Sequence, residues 1–386
     1  MNISDTPSFS ASETLTAHEA GQVSTFARAG LLMYTCLIVY ASLYPFSNWH
    51  RMGLKAWDFL FMPMPYYWTG FDLATNVVGY VPFGILVVFA LYPRVRGVAA
   101  AVTATFLAMV LTGSMEALQT FLPNRVSSNL DFLANLGGGA IGAIAGALLT
   151  RSFLVESRML QLRREWLVPE AGRGAIVAGL WMLAQIYPQP YMFGHGQVFP
   201  ILSEWISRLT EAPIDLGALL RGDATLSIQD YWLAETLITA SGMSGALLAW
   251  SFLLRKQAPT GLLIAGLLAG AALVKFMSYA LLFTPALALD WLTPGAKGGM
   301  LLGVLLVAGV AYAPPTVQRR IAIACLLISL VLINAMPENP YFAETLQSWI
   351  QGKFLNFNGA AHFLSLFWPF LALWFLLHPA HRKKRN

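Results

Sequence analysis

Residues 113 to 139 read GSMEALQTFLPNRVSSNLDFLANLGGG and place Glu116, Gln119, Asn124, Arg125, Asn129, Asp131 and Asn135 between two long apolar runs. Carboxylates accept hydrogen bonds from hydroxyls and amines, an arginine grips phosphate or carboxylate in a charge-assisted fork, and amides do either. Upstream, Asp72 and Asn76 stand four apart, as do Asp131 and Asn135. That spacing sets each pair on one face of a helix. Two chemistries fit. Asp72, Asn76, Glu116, Gln119, Arg125, Asp131 and Asn135 could bind a polar headgroup, or Glu116 and Asp131 could act as general acid and base for hydrolysis or transfer at a phosphate or glycosyl bond. No Ser, Cys or His with a base partner stands in the cluster, and no His-rich metal set is present. Binding is therefore preferred over catalysis, with no metal and no cofactor expected.

The elements that must hold these groups are membrane helices. The chain has 386 residues, 57% hydrophobic and 11% charged, with a mean hydropathy of +0.60. Water-soluble domains cannot hide that much apolar surface. Ten apolar segments stand out, near 28–46, 73–92, 98–121, 131–150, 174–188, 231–254, 260–284, 290–313, 319–336 and 360–378. No basic n-region precedes the first, which is expected to act as its own insertion signal. Of the 24 Lys and Arg, 16 fall in the tails and even-to-odd loops and 7 in the odd-to-even loops. Cytoplasmic loops retain cations, so both termini are expected in the cytoplasm of a multi-pass protein. The net charge of +5 serves orientation first and anionic lipid second, and nucleic acid is not implied. Cys36 and Cys325 lie in apolar runs, so no disulfide framework follows.

With that orientation, Asn76, Glu116 and Asn135 lie at one depth, about 6 to 9 Å below the outer surface. Arg125 sits in the loop above them. Pro82 is expected to kink its helix below Asn76, and Gly138, Gly142 and Gly146 to admit a close neighbour. Asp72 and Asp131 also suit helix caps. A charged Glu116 at membrane depth calls for a cavity or a partner.

The pattern repeats. LTGSMEALQTFLPNRVSSNLDFLANLGGGAIGAIAG aligns with LVKFMSYALLFTPALALDWLTPGAKGGMLLGVLLVAG, setting Leu130-Asp131 on Leu289-Asp290 and Ser278 at the place of Glu116. Segments one, five and nine each lead into an amphipathic outer stretch, WHRMGLKAWDFL, ILSEWISRLTEA and FAETLQSWIQGKFL. In the second, Leu202, Trp205, Ile206 and Leu209 share a face, as in a helix lying in the interface. The fold expected is an all-α polytopic bundle of about ten transmembrane helices, in parallel repeats of four, four and two. Its parts are a tail at 1–27, a four-helix unit at 28–150, a basic linker at 151–173, a degenerate second unit at 174–313, a truncated third at 319–378 and a basic tail at 379–386. Glu235 and Lys275 form a secondary polar site, either an internal ion pair or part of a polar path. His50, His195 and His362 lack metal-ligand spacing and are expected to face solvent or cap helices.

YPF after the first segment, DLATNVVGYVPFG, EALQTFLPNR and DFLANLGGGAIG together resemble the VanZ-like membrane protein family over about residues 31–150. The resemblance falls on Asp72, Asn76, Pro82, Gly84, Glu116, Gln119, Arg125, Asp131, Asn135 and Gly138. It implies a cell-envelope function in the bacterial cytoplasmic membrane and a link to glycopeptide antibiotic resistance, although the chain runs far beyond the short family form and an exopolysaccharide role fits equally. Three uses follow. The protein handles an amphiphile, such as a lipid-linked glycan or peptidoglycan precursor; it is a membrane-embedded hydrolase or transferase; or it is a scaffold whose outer loops recruit an envelope protein. Membrane lipids are partners in all three.

Overall fold

The computed structural model describes residues 11–378 except 45, 52, 54, 67, 124, 151–152, 154–161, 163–164, 169–170, 223–225, 284, 338–341 and 343–354, and gives the backbone alone at 11–26, 71, 281–282 and 355–360. Asn124, Arg151, Arg158, Arg163, Arg164, residues 1–10 of the N-terminal tail, the C-terminal tail and most of the third outer stretch lie outside the described residues, while the rest of the expected N-terminal tail belongs to the first helix. The chain divides into two units, 1–162 and 163–386.

The first unit holds α1 (Ala11–Leu43), α2 (Gly70–Leu91), α3 (Gly97–Gln119) and α4 (Asn129–Thr150), with a 3-10 turn at Asp58–Leu60. The second holds α5 (Ala171–Ala184), α6 (Phe199–Thr210), α7 (Leu216–Arg221), α8 (Ile228–Ser251), α9 (Thr260–Leu282), α10 (Pro294–Val310), α11 (Pro315–Ala335) and α12 (Leu355–Leu377), with a 3-10 turn at Pro285–Leu287. Among the described residues there is no strand, only a bridge between Leu167 and Leu254. Among the described residues, five helices are long and apolar enough to cross a bilayer, and four shorter apolar helices accompany them. The protein is a helical membrane protein.

Helix ends follow local chemistry. Thr69 caps α2 and Ser227 caps α8, each in a reciprocal box in which the Asp three residues on, Asp72 or Asp230, bonds back to the cap. Asp72 is thus the third residue of α2, not its cap. Proline sets the start of α10 and α11. For α10 this means 294, later than the 290 expected, because Thr293 caps the helix and Pro294 opens it. By contrast, α5 stops at Ala184, short of 188, where Pro188 removes a donor and restricts the residue before it. Pro82 lies inside α2, which continues past it.

In the first unit small residues set the packing. A Cβ on Gly138 would strike the Val77 carbonyl, and one on Gly142 the Val81 carbonyl, so α4 lies backbone to backbone on α2. Ala100, Ala104 and Ala108 form the buried stripe of α3, and Gly139 meets Ala108. The second unit uses the same device between α10 and α8, where Gly299 faces the Thr236 carbonyl and Thr239, and Gly303 faces Met243. Its core is bulkier, built around Trp181, Phe193, Met243, Leu247, Leu248 and Trp368.

Of the outer stretches, the first contains the 3-10 turn, with Phe59 buried against Phe132 at 5.9 Å and Trp57 exposed. The second is the helix α6. Ser203 Oγ accepts from Leu216 N–H at 3.0 Å and Ser207 Oγ from Ile214 N–H at 2.8 Å, so its small polar side faces inward. Leu202, Trp205 and Leu209 stand exposed on the other side, the arrangement of an interfacial helix.

Candidate functional site

The polar residues of the first unit gather where α2, α3 and α4 meet. Asn76 Nδ2 donates to Asp131 Oδ1 at 2.7 Å, joining α2 to α4. Asn135 Nδ2 donates to Thr112 Oγ1 at 3.0 Å, joining α4 to α3, and its Oδ1 is buried without a hydrogen bond. Glu116, 3% exposed, accepts the Ser128 N–H on Oε2 at 2.8 Å and so pins the loop that leads into α4. Ser128, whose role the sequence did not suggest, is also the cap of that helix: its Oγ accepts from Leu130 N–H at 3.1 Å and Asp131 N–H at 3.4 Å. Asp131 is released from capping to meet Asn76.

Gln119 and Arg125 turn to α1. The last carbonyls of a helix lack intrahelical donors and carry partial negative charge. Gln119 Nε2 donates to Ser42 O at 3.0 Å, and Arg125 Nη2 donates to Tyr44 O at 3.0 Å and Ala41 O at 3.5 Å. Partial burial of the loop lowers the Arg125 pKa. Asp72 is exposed, its Oδ2 taken by the Thr69 hydroxyl at 2.6 Å. The structure therefore unites Asn76, Thr112, Glu116, Ser128, Asp131 and Asn135, places Gln119 and Arg125 beside them on α1, and leaves Asp72 at the rim. Along α3 and α4 runs an open apolar groove of about 730 Å³, lined by Val98, Val102, Phe106, Met109, Leu136 and Ile144 among others. Leu136 adjoins Asn135, and Met109 lies one turn from Thr112.

In the second unit Glu235 and Lys275 line one small cavity, yet no ion pair joins them. Glu235 Oε1 accepts the Thr293 hydroxyl at 2.6 Å, and Lys275 Nζ donates to Tyr187 O at 3.4 Å. His195, expected to face solvent, is 3% exposed. Its Nε2 meets Gln185 Nε2 at 2.8 Å, its Nδ1 meets Gln189 Nε2 at 2.7 Å and Ser365 Oγ at 3.2 Å, and its ring stands edge-on to Trp368. A neutral imidazole offers one donor and one acceptor, so it suits amide and hydroxyl neighbours that can do either.

Among the described residues no three His, Cys, Asp or Glu side chains gather to hold a metal ion. No curated protein and no solved structure matches the chain. Residues 8–150, the segment that carries the polar cluster, match the VanZ/LLP1 family model, so the first segment of this membrane protein is VanZ-like.

Proposed function

We propose that the first unit binds an amphiphile of the cell envelope, such as a lipid-linked glycan or peptidoglycan precursor, with its chain along α3 and α4 and its headgroup at the polar cluster. The observation that carries this reading is the open apolar groove of about 730 Å³ along α3 and α4, whose lining includes Met109, three residues from Thr112, and Leu136, next to Asn135 in the sequence. An apolar groove on the same helices that carry the polar cluster suits a molecule with one greasy and one polar end. Glu116 and Asp131 accept from sugar or amine donors, Asn76, Gln119 and Asn135 supply amides, and Arg125 supplies positive charge for a phosphate.

The reading takes the ten apolar segments as spans of the bacterial inner membrane, with both termini cytoplasmic and the cluster opening outward. The cation distribution supports that orientation. A parallel repeat of four, four and two helices is supported by shared devices within each unit: the capping boxes opening α2 and α8, and the glycine faces of α4 on α2 and α10 on α8.

Native mass spectrometry of the detergent-extracted protein tests the site, wild type beside Glu116→Gln and Arg125→Ala. A polyprenyl-phosphate or glycolipid adduct present in wild type and lost in both variants is expected. A second reading is favoured by the cluster's own bonding, since Asn76 bonds Asp131, Asn135 bonds Thr112 and Ser128 bonds Glu116: these bonds order α2 to α4 as a scaffold for an envelope partner. The same annular phospholipids on all three proteins would select it. An adduct chemically altered by folded wild type would instead make Glu116 and Asp131 an acid and base pair.

A further inference from the structure

The segment 185–196 of the second unit is buried for the most part and is not helical. At membrane depth, irregular backbone is tolerated where other groups satisfy it and where it lines a cavity. Here Thr239 Oγ1 donates to Met192 O at 3.1 Å, Asn334 Nδ2 to Gly196 O at 2.8 Å, Lys275 Nζ to Tyr187 O at 3.4 Å, and the Ser278 hydroxyl to Ile186 O. Phe193, fully buried, holds a φ of 57°, a left-handed value that a bulky side chain adopts only under constraint. Strain of this kind gathers at ligand clamps.

Beside this segment lies a cavity of about 60 Å³, lined by Gln189, Glu235, Lys275, Tyr279, Asp290 and Trp291 among others. It has room for a few waters or a compact headgroup, and none for an acyl chain. Lys275 is 1% exposed and Glu235 3%. An ammonium has three donors, and Lys275 gives one long bond to Tyr187 O, with the Tyr279 ring centroid 5.4 Å from Nζ. Glu235 has Thr293 on Oε1 and no hydrogen bond on Oε2. Two opposite buried charges that share a cavity without pairing bear the desolvation cost and lack the compensating attraction. A lone anion would leave Glu235 uncompensated, and a lone cation would leave Lys275 so. Exposed Asp290 and the faces of Tyr279 and Trp291 add further attraction for a cation.

We propose that this cavity binds a compact zwitterion, a primary ammonium a few bonds from a carboxylate or phosphate, with the anionic end on Lys275 and the ammonium on Glu235. Phosphoethanolamine, the headgroup of a lipid, and a small free amino acid both carry this chemistry. The site lies wholly in the second unit and is independent of the amphiphile reading of the first.

Titration calorimetry on the full chain in detergent micelles, with intrinsic tryptophan fluorescence in parallel because Trp291 lines the cavity, tests this with phosphoethanolamine, glycine, ethylamine and acetate. Saturable binding of a zwitterion is expected, with ethylamine and acetate alone at least about tenfold weaker in wild type, a comparison that needs no variant. Lys275→Met and Glu235→Gln should each weaken the zwitterion about tenfold or more while keeping the far-ultraviolet dichroism of wild type. Tighter phosphoethanolamine assigns a lipid headgroup, and tighter glycine a free amino acid. Absence of saturable binding by both zwitterions, or binding of ethylamine or acetate as tight as theirs, overturns the proposal.

Discussion

Gly142→Leu is expected to abolish the native packing of the first unit, lowering its unfolding free energy by about 3 kcal/mol, the upper end of what overpacking costs. The reason is backbone, not side-chain, crowding. A Cβ at 142 would collide with the Val81 carbonyl, and the next glycine along the stripe, Gly138, meets the Val77 carbonyl in the same way. A flexible side chain can swing aside, whereas a helix carbonyl moves only if α2 and α4 separate along their length. Gly137→Leu is the matched control. It lies on the same helix with nothing within 4 Å of its would-be Cβ, so it should melt close to wild type. Thermal unfolding followed by dichroism in detergent reads both. Equal midpoints for the two variants would mean that α2 and α4 do not touch through their glycines.

Glu116→Ala is the second large effect, and its value lies in the contrast with Glu116→Gln. Alanine leaves the Ser128 N–H without its acceptor beside a buried site, which costs about 2 to 3 kcal/mol. Glutamine keeps an oxygen in place of Oε2 and should lose no more than about 1 kcal/mol. A stable Glu116→Gln protein that has lost its bound amphiphile would separate the carboxylate's charge from its structural bond. If Glu116→Ala melts like wild type, the bond from Ser128 contributes nothing, and the loop into α4 is held by other contacts.

Much of the first unit was legible from residue types. Long apolar runs bounded by turns announce α2, α3 and α4, and i, i+4 spacing put Asn76 and Asp131 within reach of the same junction. The glycine stripe at 138, 142 and 146 was legible too, because only backbone contact explains three glycines on one helix face. What stayed hidden were the partners contributed by the main chain. Glu116 meets the N–H of Ser128, and Gln119 and Arg125 meet carbonyls of α1, groups that every residue carries and no spacing reveals. The exact caps were missed for a related reason. Thr69 and Ser128 are modest residues beside the conspicuous aspartates three places on. His195 eluded sequence reading because its partners Ser365 and Trp368 come from a helix far along the chain. Glu235 and Lys275 look like an ion pair in a list of charges, and only three dimensions put a cavity where the pair would be.

The buried irregular segment at 185–196 also sets a clock for biogenesis. Gly196 N–H donates to Ser365 O, and the Gly196 carbonyl waits for Asn334. The separation from His195 to Ser365 is 170 residues, so at ordinary elongation rates of about 5 to 20 residues per second the segment leaves the ribosome roughly 10 to 30 s before its last partner. For that interval its polar backbone lacks these partners. The second unit must mature late and as a whole, and chains stalled before α12 should be recognised and degraded by membrane quality control.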